Sequence, residues 1–504
     1  MLLSKVLEGD RYNTITGNAG ECDLTRVEYD SRKAGPGSVF VCVIGFETDG
    51  HKYMRSAIEN GASAVIVSGK RTGFDTDEIR AMADGHDVTV VEVDDTRRVL
   101  ASASSAILSH PEKELDIYGI TGTKGKTTST FMLKQIFDQA GRKSGLIGTV
   151  CNYIGDKKIH SEHTTPESRD LFDMIGELRD EGADSLVMEV SSQGLKLDRV
   201  YGLRYKCACF TNLYKDHISA NEHPDMEDYF SCKLKIFDNC VTGIVNIDSD
   251  TAEEVIRYCE GKCGVLTYGL KEGADIKASN LRKVRKGHIT GTAFDLTSLS
   301  YNGEIFVALP GEFNVHNALC AIACAMVAGI DLETVKKALA SCSVPGRLQP
   351  VPNSLGISIL VDYAHNAAAL DSVLDTLREY TEGRIITVFG CGGDRAKDRR
   401  FEMGEVSGNK SDYTVITTDN PRTEDPDQII ANIVTGISRT DGKYEVVSDR
   451  TSAIARAIEI ADSGDTVLIA GKGHEDYQIF GKTKTHFDDY ETALKAVSEA
   501  ESRI

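Results

Sequence analysis

The sequence predicts an α/β protein of three domains: a central P-loop-type parallel sheet with an antiparallel excursion, and a C-terminal Rossmann-like doubly wound domain. Three observations carry this. The chain has 504 residues, enough for roughly three ordinary domains. Short apolar runs alternate with helical stretches along most of its length, the pattern of parallel sheets covered by helices. The stretch YGITGTKGKTTST (118–130) places a glycine-bearing turn between a buried strand and a helix.

Residues 1–113 alternate the strands SVFVCVIG, ASAVIVSG and VTVVEVDD with helices, ending in the helix DTRRVLASASSAILSH and a linker, His110-Pro111-Glu112-Lys113. Residues 114–345 carry DIYGITG, SGLIGTV, DSLVMEV, KCACFTNL, GIVNID and VLTYG, a parallel-sheet pattern. Within them, about 275–310 shows strand alternation without a helix, and Asn302-Gly303 reads as a hairpin turn. Residues 346–504 begin a second alternation: ISILVDYAH, RIITVFG, DYTVITT, YEVV and DTVLIAG.

Hydrophobic content is 41% and charged content 27%, normal for a globular chain with full cores. A net charge of −20 argues against a nucleic-acid partner or an anionic membrane surface, which both want clustered cations. The start, MLLSKVLEGDRYNTITG, has no apolar core of signal length, and no stretch is long enough to span a bilayer, so a cytoplasmic location without membrane insertion is expected. The 13 cysteines are odd in number and sit in apolar segments such as CAIACAMVAG, as buried small hydrophobes rather than a disulfide framework. Cys259-x-x-x-Cys263 and Cys207-x-Cys209 lack a second pair at zinc spacing.

The turn after LDIYGI departs from G-x-x-x-x-G-K-[ST], since position 120 is Ile and the upstream glycines are Gly119 and Gly122. Its chemistry survives. A glycine turn aims backbone N–H groups and a helix N-terminus at an anion, Lys126 reaches phosphate oxygens, and Thr127 offers a hydroxyl to Mg²⁺. Glu189, ending VMEV, reads as a Mg²⁺ ligand at the same sheet edge. Asp216-His217 after TNL is a candidate addition to that shell. In the C-terminal region Arg395, Lys397, Arg399 and Arg400 follow a Gly392-Gly393 turn suited to close backbone approach, and Asp362 can accept bonds from a ribose diol. Two function classes fit: a nucleotide-driven ligase that activates an acid, and a P-loop switch in which phosphate release moves a domain.

The combination TGTKGKTT (121–128), MEVSS (188–192), TNL-x-x-DH (211–217), Y-x-x-CK (229–233), GEFNVHNAL (311–319), PGR (345–347), DYAH (362–365) and GGDR-x-K (393–397) resembles the Mur ligases, ATP-dependent amide ligases of peptidoglycan synthesis. DSRKAGPGSVFV, DNPRTEDP and GKGHEDYQ are similar to the members that add the third amino acid, to UDP-N-acetylmuramoyl-L-alanyl-D-glutamate. The resemblance runs through nearly the whole chain in order.

It implies roles for particular residues. Gly122, Thr123, Lys124, Gly125, Lys126, Thr127 and Thr128 would hold ATP phosphates, with Asn317, Arg347, Asp362, His365, Asp394 and Lys397 also on the nucleotide. Thr127 and Glu189 would take one Mg²⁺; His217 and a Lys233 carbamylated by CO₂ would take part in a second. Lys126, Lys233, His217 and Glu189 form the implied catalytic set. Ser31, Thr164, Thr165, Ser192 and Arg199 would contact the UDP-linked substrate. Arg395, Asp419, Asn420, Arg422, Gly471 and Glu475 would bind the incoming amino acid, whose amine attacks an acyl phosphate. Asn420-Pro421-Arg422 matches the family's meso-diaminopimelate form; L-lysine is the alternative acceptor, and folylpolyglutamate synthase the related alternative enzyme. A monomer is expected. Gln193 after MEVSS, DHISANEHPD and Asn366-Ala367-Ala368 depart from the commoner family sequences.

Overall fold

The computed structural model describes every residue except 46–47, 72, 220–221 and 504. The chain divides into two compact bodies, Met1–Tyr268 with Ala323–Ala328, and Gly269–Ile322 with Gly329–Ile504.

The first body holds two sheets. The N-terminal one runs Tyr12–Thr16, Thr89–Val93, Ala64–Ser68, Ser38–Val41, Arg26–Glu28, parallel except where Tyr12–Thr16 meets Thr89–Val93. Its strands are apolar at successive positions because both faces are covered. Val39, Val41, Ile66 and Val91 enter one core, while Phe40, Cys42, Val65, Val67 and Val90 enter the other.

The second sheet of this body runs Cys240–Asn246, Tyr205–Phe210, Asp116–Thr121, Ser185–Glu189, Ser144–Ile147, all parallel, and then adds the antiparallel Asn152–Ile154 and Lys157–Ile159. Asp116–Thr121 pairs on both sides with strands that arrive later in sequence. Chain order reverses there, and the carboxyl ends of such strands are where open α/β sheets bind ligands. The loops TGTKGKT, EVSSQ and TNLYKDH leave from these three ends.

In the second body, Ile276–Lys286, Ile289–Ser298 and Asn302–Val307 form an antiparallel meander. This is the predicted excursion, with one correction. Asn302-Gly303 is not the turn: Asn302 pairs with Thr297 and Gly303 with Leu296 inside the ladder. The turn is residues 299–301, set by the Ser298 hydroxyl, which accepts from the Tyr301 amide at 2.8 Å and donates to the Tyr301 carbonyl at 3.0 Å. The C-terminal sheet runs Gln349–Pro350, Ser358–Asp362, Thr466–Ala470, Ile385–Phe389, Tyr413–Ile416, Tyr444–Val446, parallel except at Gln349–Pro350. Four of its helices start on a side-chain cap, Asn366, Asp425, Asp449 and Asp488. Among the described residues, no helix is long and apolar enough to cross a membrane.

Candidate active site

The phosphate-type loop is a short turn. Strand Asp116–Thr121 leads into Gly122 (φ +141°), and Gly125 (φ +86°) caps the helix Lys126–Gln139. A Cβ on Gly122 would lie 2.0 Å from Thr211 Oγ1, so both its backbone angle and its surroundings demand glycine. The TNL segment braces the turn. Thr123 N donates to the Asn212 carbonyl at 2.9 Å, Lys124 N to Asn212 Oδ1 at 2.8 Å, and Thr211 Oγ1 to the Lys124 carbonyl at 2.7 Å. Thr128 lies buried in the first helical turn, and Lys124 stays exposed, 3.3 Å from Asp216.

Thr127 Oγ1 lies 3.0 Å from both oxygens of Glu189, the last residue of strand Ser185–Glu189. Glu189 is buried, and it also accepts from Thr149 N at 2.8 Å and Thr149 Oγ1 at 3.1 Å. No cationic side chain pairs with it among the described residues. A buried carboxylate held by hydroxyls beside a phosphate loop is an all-oxygen donor set, and it fits Mg²⁺.

Lys126 Nζ donates to the carbonyls of Gly122 at 2.9 Å and Thr123 at 3.1 Å. Lys233, near the end of helix Met226–Leu234, brings its Nζ to the same Gly122 carbonyl at 2.9 Å and over the Tyr229 ring at 4.4 Å. Burial, and then the neighbouring Lys126 charge, push the Lys233 amine well below the usual lysine range. His217 lies beyond the end of strand Tyr205–Phe210, in the loop that follows; it has φ +57° and bonds Glu222 at 3.2 Å. Its ring lies 5.8 Å from the Tyr229 ring on which Lys233 rests.

Beyond Glu189 the structure gathers most of the residues expected for the UDP-linked substrate. Thr164 Oγ1 is 2.9 Å from Thr149 Oγ1, and Thr165 Oγ1 donates to the Glu189 carbonyl at 3.0 Å. Arg199 donates to the Thr165 carbonyl at 3.0 Å and pairs with Glu167 at 2.8 Å, leaving its Nε buried without a partner. Ser192 Oγ meets His223 Nε2 at 3.0 Å, and Asp228 holds His223 Nδ1 at 2.6 Å. His223 was not singled out by the sequence reading, because a single His in a polar loop carries no periodic signal. Ser31 sits with the N-terminal sheet, in the turn Ser31–Lys33 capped by Asp30.

In the second body, Asp362 ends strand Ser358–Asp362 with both carboxylate oxygens engaged, by the amides of Leu348 and Ala364 at 2.8 Å each. Burial raises its pKa despite Arg347 nearby. Tyr363 carries Arg347 over its ring at 5.0 Å and meets the tilted rings of His365 at 4.5 Å and His474 at 4.8 Å. Asn317 bonds Asn314 at 3.1 Å, Asp394 accepts from Thr423 Oγ1 at 2.6 Å, and Lys397 caps helix Asp398–Lys410.

A cavity of about 150 Å³ lies at the carboxyl ends of this sheet. All six residues expected for the amino acid line it: Arg395, Asp419, Asn420, Arg422, Gly471 and Glu475. They come from three loops. Gly393 makes the first possible, because a Cβ there would sit 1.9 Å from the Pro421 carbonyl. Arg422 (φ +51°) is half-buried and donates to the Gly393 carbonyl at 2.8 Å. Arg400 is buried against Glu424, which it grips with two nitrogens at 2.7 and 2.9 Å. The cavity thus carries guanidinium groups, on Arg395 and Arg422, together with carboxylates, on Asp419 and Glu475. Lys472, fully buried beside Asn420 and Glu475, was given no role; its sequence signals are its place in GKGHEDYQ and at the end of the apolar run DTVLIA.

A strand-end phosphate loop facing a buried carboxylate in the first body fits a nucleotide-dependent enzyme, and the cavity at the strand ends of the second, lined by guanidinium and carboxylate groups, fits a zwitterionic ligand. Residues 23–108 match the family description "Mur ligase family, catalytic domain", residues 120–325 "Mur ligase middle domain", and residues 346–473 "Mur ligase, glutamate ligase domain". The chain belongs to the Mur ligase family. It is 43% identical over 502 residues, covering 99% of this chain and 100% of the relative, to the UDP-N-acetylmuramoyl-L-alanyl-D-glutamate–2,6-diaminopimelate ligase of Clostridium botulinum. To the enzyme of the same name from Clostridioides difficile it is 41% identical, with 99% and 100% covered. A solved structure with that name superposes at TM-score 0.74 and 28% identity, covering 99% of both chains. Membership settles the choice between ligase and switch for the ligase.

Proposed function

We propose that this enzyme joins meso-diaminopimelate to UDP-N-acetylmuramoyl-L-alanyl-D-glutamate with ATP, through an acyl phosphate, in peptidoglycan precursor synthesis. The observation that carries the acceptor is the cavity lined by both guanidinium and carboxylate groups. Diaminopimelate has an ammonium and a carboxylate at each end; Arg395 and Arg422 suit the carboxylates, and Asp419 and Glu475 suit the distal ammonium.

The residues divide the work. The phosphate loop and Lys126 bind and neutralise the ATP phosphates, so the substrate carboxylate attacks the γ-phosphoryl group. Thr127 and Glu189 would hold Mg²⁺, which supplies charge neutralisation at the phosphates. Lys233, whose amine burial pushes well below the usual lysine range, is suited to react with CO₂; the carbamate so formed, with His217, would serve a second Mg²⁺. Thr164, Thr165, Ser192 and Arg199 orient the dipeptide end, and Ser31 the uridine. Asn317, Arg347, Asp362, His365, Asp394 and Lys397 are assigned to the nucleotide. The amine then attacks the acyl carbon and expels phosphate; positioning carries most of the catalysis.

We assign residues 1–113 to nucleotide-sugar binding, 114–345 to ATP, and 346–504 to the amino acid. The thirteen free cysteines and the nucleotide substrates support a cytoplasmic location. The test is ATP consumption with the UDP-dipeptide fixed and a panel of acceptors. Turnover with meso-diaminopimelate above all others is expected; preference for L-lysine would overturn the acceptor, and ATP turnover without any acceptor would overturn the ligase chemistry.

A further inference from the structure

Lys472 does not line the cavity, yet it touches three groups that do. Its side chain is fully buried, with Nζ 3.0 Å from Asn420 Oδ1, 3.4 Å from Glu475 Oε2 and 3.9 Å from Asp419 Oδ1. Asn420 Oδ1 also accepts from Ile479 N at 3.1 Å, while Asn420 Nδ2 donates to Glu475 Oε2 at 2.9 Å. The two donors facing Asn420 Oδ1, the Lys472 ammonium and the Ile479 amide, would be wasted on a flipped amide, so the oxygen is fixed toward Lys472 and the NH₂ toward Glu475. Behind the same wall, Arg450 is buried in a two-nitrogen pair with Asp489 at 2.7 Å and donates to the Ala470 carbonyl at 3.0 Å. That guanidinium is committed to Asp489, which leaves Lys472 as the cation in contact with both Asp419 and Glu475.

We propose that Lys472 is a positioning residue for the acceptor amino acid, holding Glu475, Asn420 and Asp419 in place on one wall of the cavity. Two carboxylates sharing one cavity wall repel, and without a cation between them the side chains turn apart. That movement removes an anionic partner of the acceptor ammonium. Lys472 therefore acts through Glu475 and Asp419 and never touches the acceptor. This inference rests on the acceptor reading of the cavity.

The experiment is steady-state kinetics of Lys472→Met, Glu475→Gln and the double variant, each saturated in turn with two of the three substrates. Lys472→Met should raise the KM for meso-diaminopimelate by about 30-fold or more, the scale of a lost charge-assisted contact. Its kcat and its KM for ATP and the UDP-dipeptide should stay within about 3-fold, since a positioning role on one substrate leaves the others alone. In the Glu475→Gln background, where the nearer of the two carboxylates it serves is gone and the repulsion with Asp419 is relieved, the same change should cost about 3-fold or less. Equal losses in both backgrounds, or parallel losses for all three substrates, would overturn the proposal. Should Lys472→Met fail to fold, the charge-balanced double variant decides: an acceptor KM matching Glu475→Gln supports it, and failure of both to fold assigns Lys472 to stability and overturns it. If wild type shows no saturable dependence on meso-diaminopimelate, it is the acceptor reading that fails, independently of Lys472.

Discussion

Lys126 and Lys233 meet on a single oxygen: each Nζ lies 2.9 Å from the carbonyl of Gly122. Two ammonium groups cannot share one acceptor in a buried site at low cost, and the less exposed of the two, Lys233, is the one driven toward its neutral form. A neutral amine adds to CO₂ with loss of a proton, giving an anion. That would replace a repulsive pair of cations with an attractive pair.

Lys126→Ala should lower ligation by about 100-fold or more, because its ammonium neutralises charge on the transferring phosphoryl group. Binding of the UDP-dipeptide, measured by calorimetry, should be nearly unchanged. A variant keeping more than about a tenth of the rate would contradict the role.

Lys233→Ala should be inactive and recover part of its rate with acetate, which supplies the missing carboxylate. The same loss without rescue, or intact-mass analysis of wild type under CO₂ that finds no carbamate, would count against the modification. A lysine merely packed on Tyr229 would lose little activity and gain nothing from acetate.

Glu189→Gln should raise the Mg²⁺ concentration for half-maximal activity by about 10-fold or more, since an amide replaces the one charged oxygen donor beside Thr127. Magnesium titration of the purified variant checks this. An unchanged midpoint would mean that Glu189 serves only to anchor Thr127 and Thr149.

Arg422→Ala should cost about 30- to 1,000-fold in kcat/KM for meso-diaminopimelate, the loss of roughly 2–4 kcal/mol from a charge-assisted pair. Lysine, lacking the distal carboxylate, should be affected far less and should become the relatively better acceptor. Unchanged diaminopimelate efficiency would remove Arg422 from acceptor recognition.

Glu424→Gln should flatten the acid limb of stability. The Arg400 hydrogen bond holds the Glu424 carboxyl below its ordinary 4.5. A depressed carboxylate adds stability that is fully present above the unfolded value and is lost as pH falls through the folded one. Wild type should therefore lose more melting temperature than Glu424→Gln between pH 5 and about 3, a range bracketing those values. Parallel curves for the two proteins would show that the pair contributes nothing.

Much of the site was legible because its signals are local. Gly122, Gly125, Lys126 and Thr127 lie within one strand–turn–helix passage, and each answers a requirement of backbone angle, charge or hydroxyl that the passage itself imposes. Arg395, Asp419, Asn420, Arg422, Gly471 and Glu475 were found through motifs at strand ends. Asn302-Gly303 misled for a physical reason. Its turn preference is real but weak, and the Ser298 hydroxyl closes the chain one step earlier, moving the pair into the ladder.

From the amino-acid order alone one can decide the α/β alternation, the phosphate turn and the strand ends that carry chemistry, since periodicity and glycine placement act over a few residues. Which side chains meet was decided only by the tertiary structure. Lys233 reaches Gly122 across 111 residues, Asp228 fixes His223 against Ser192, and Lys472 is sealed beneath Asn420 and Glu475. Such contacts follow from strand register and from burial that raises the strength of each charge on its neighbour. Neither is a property of any short stretch of sequence.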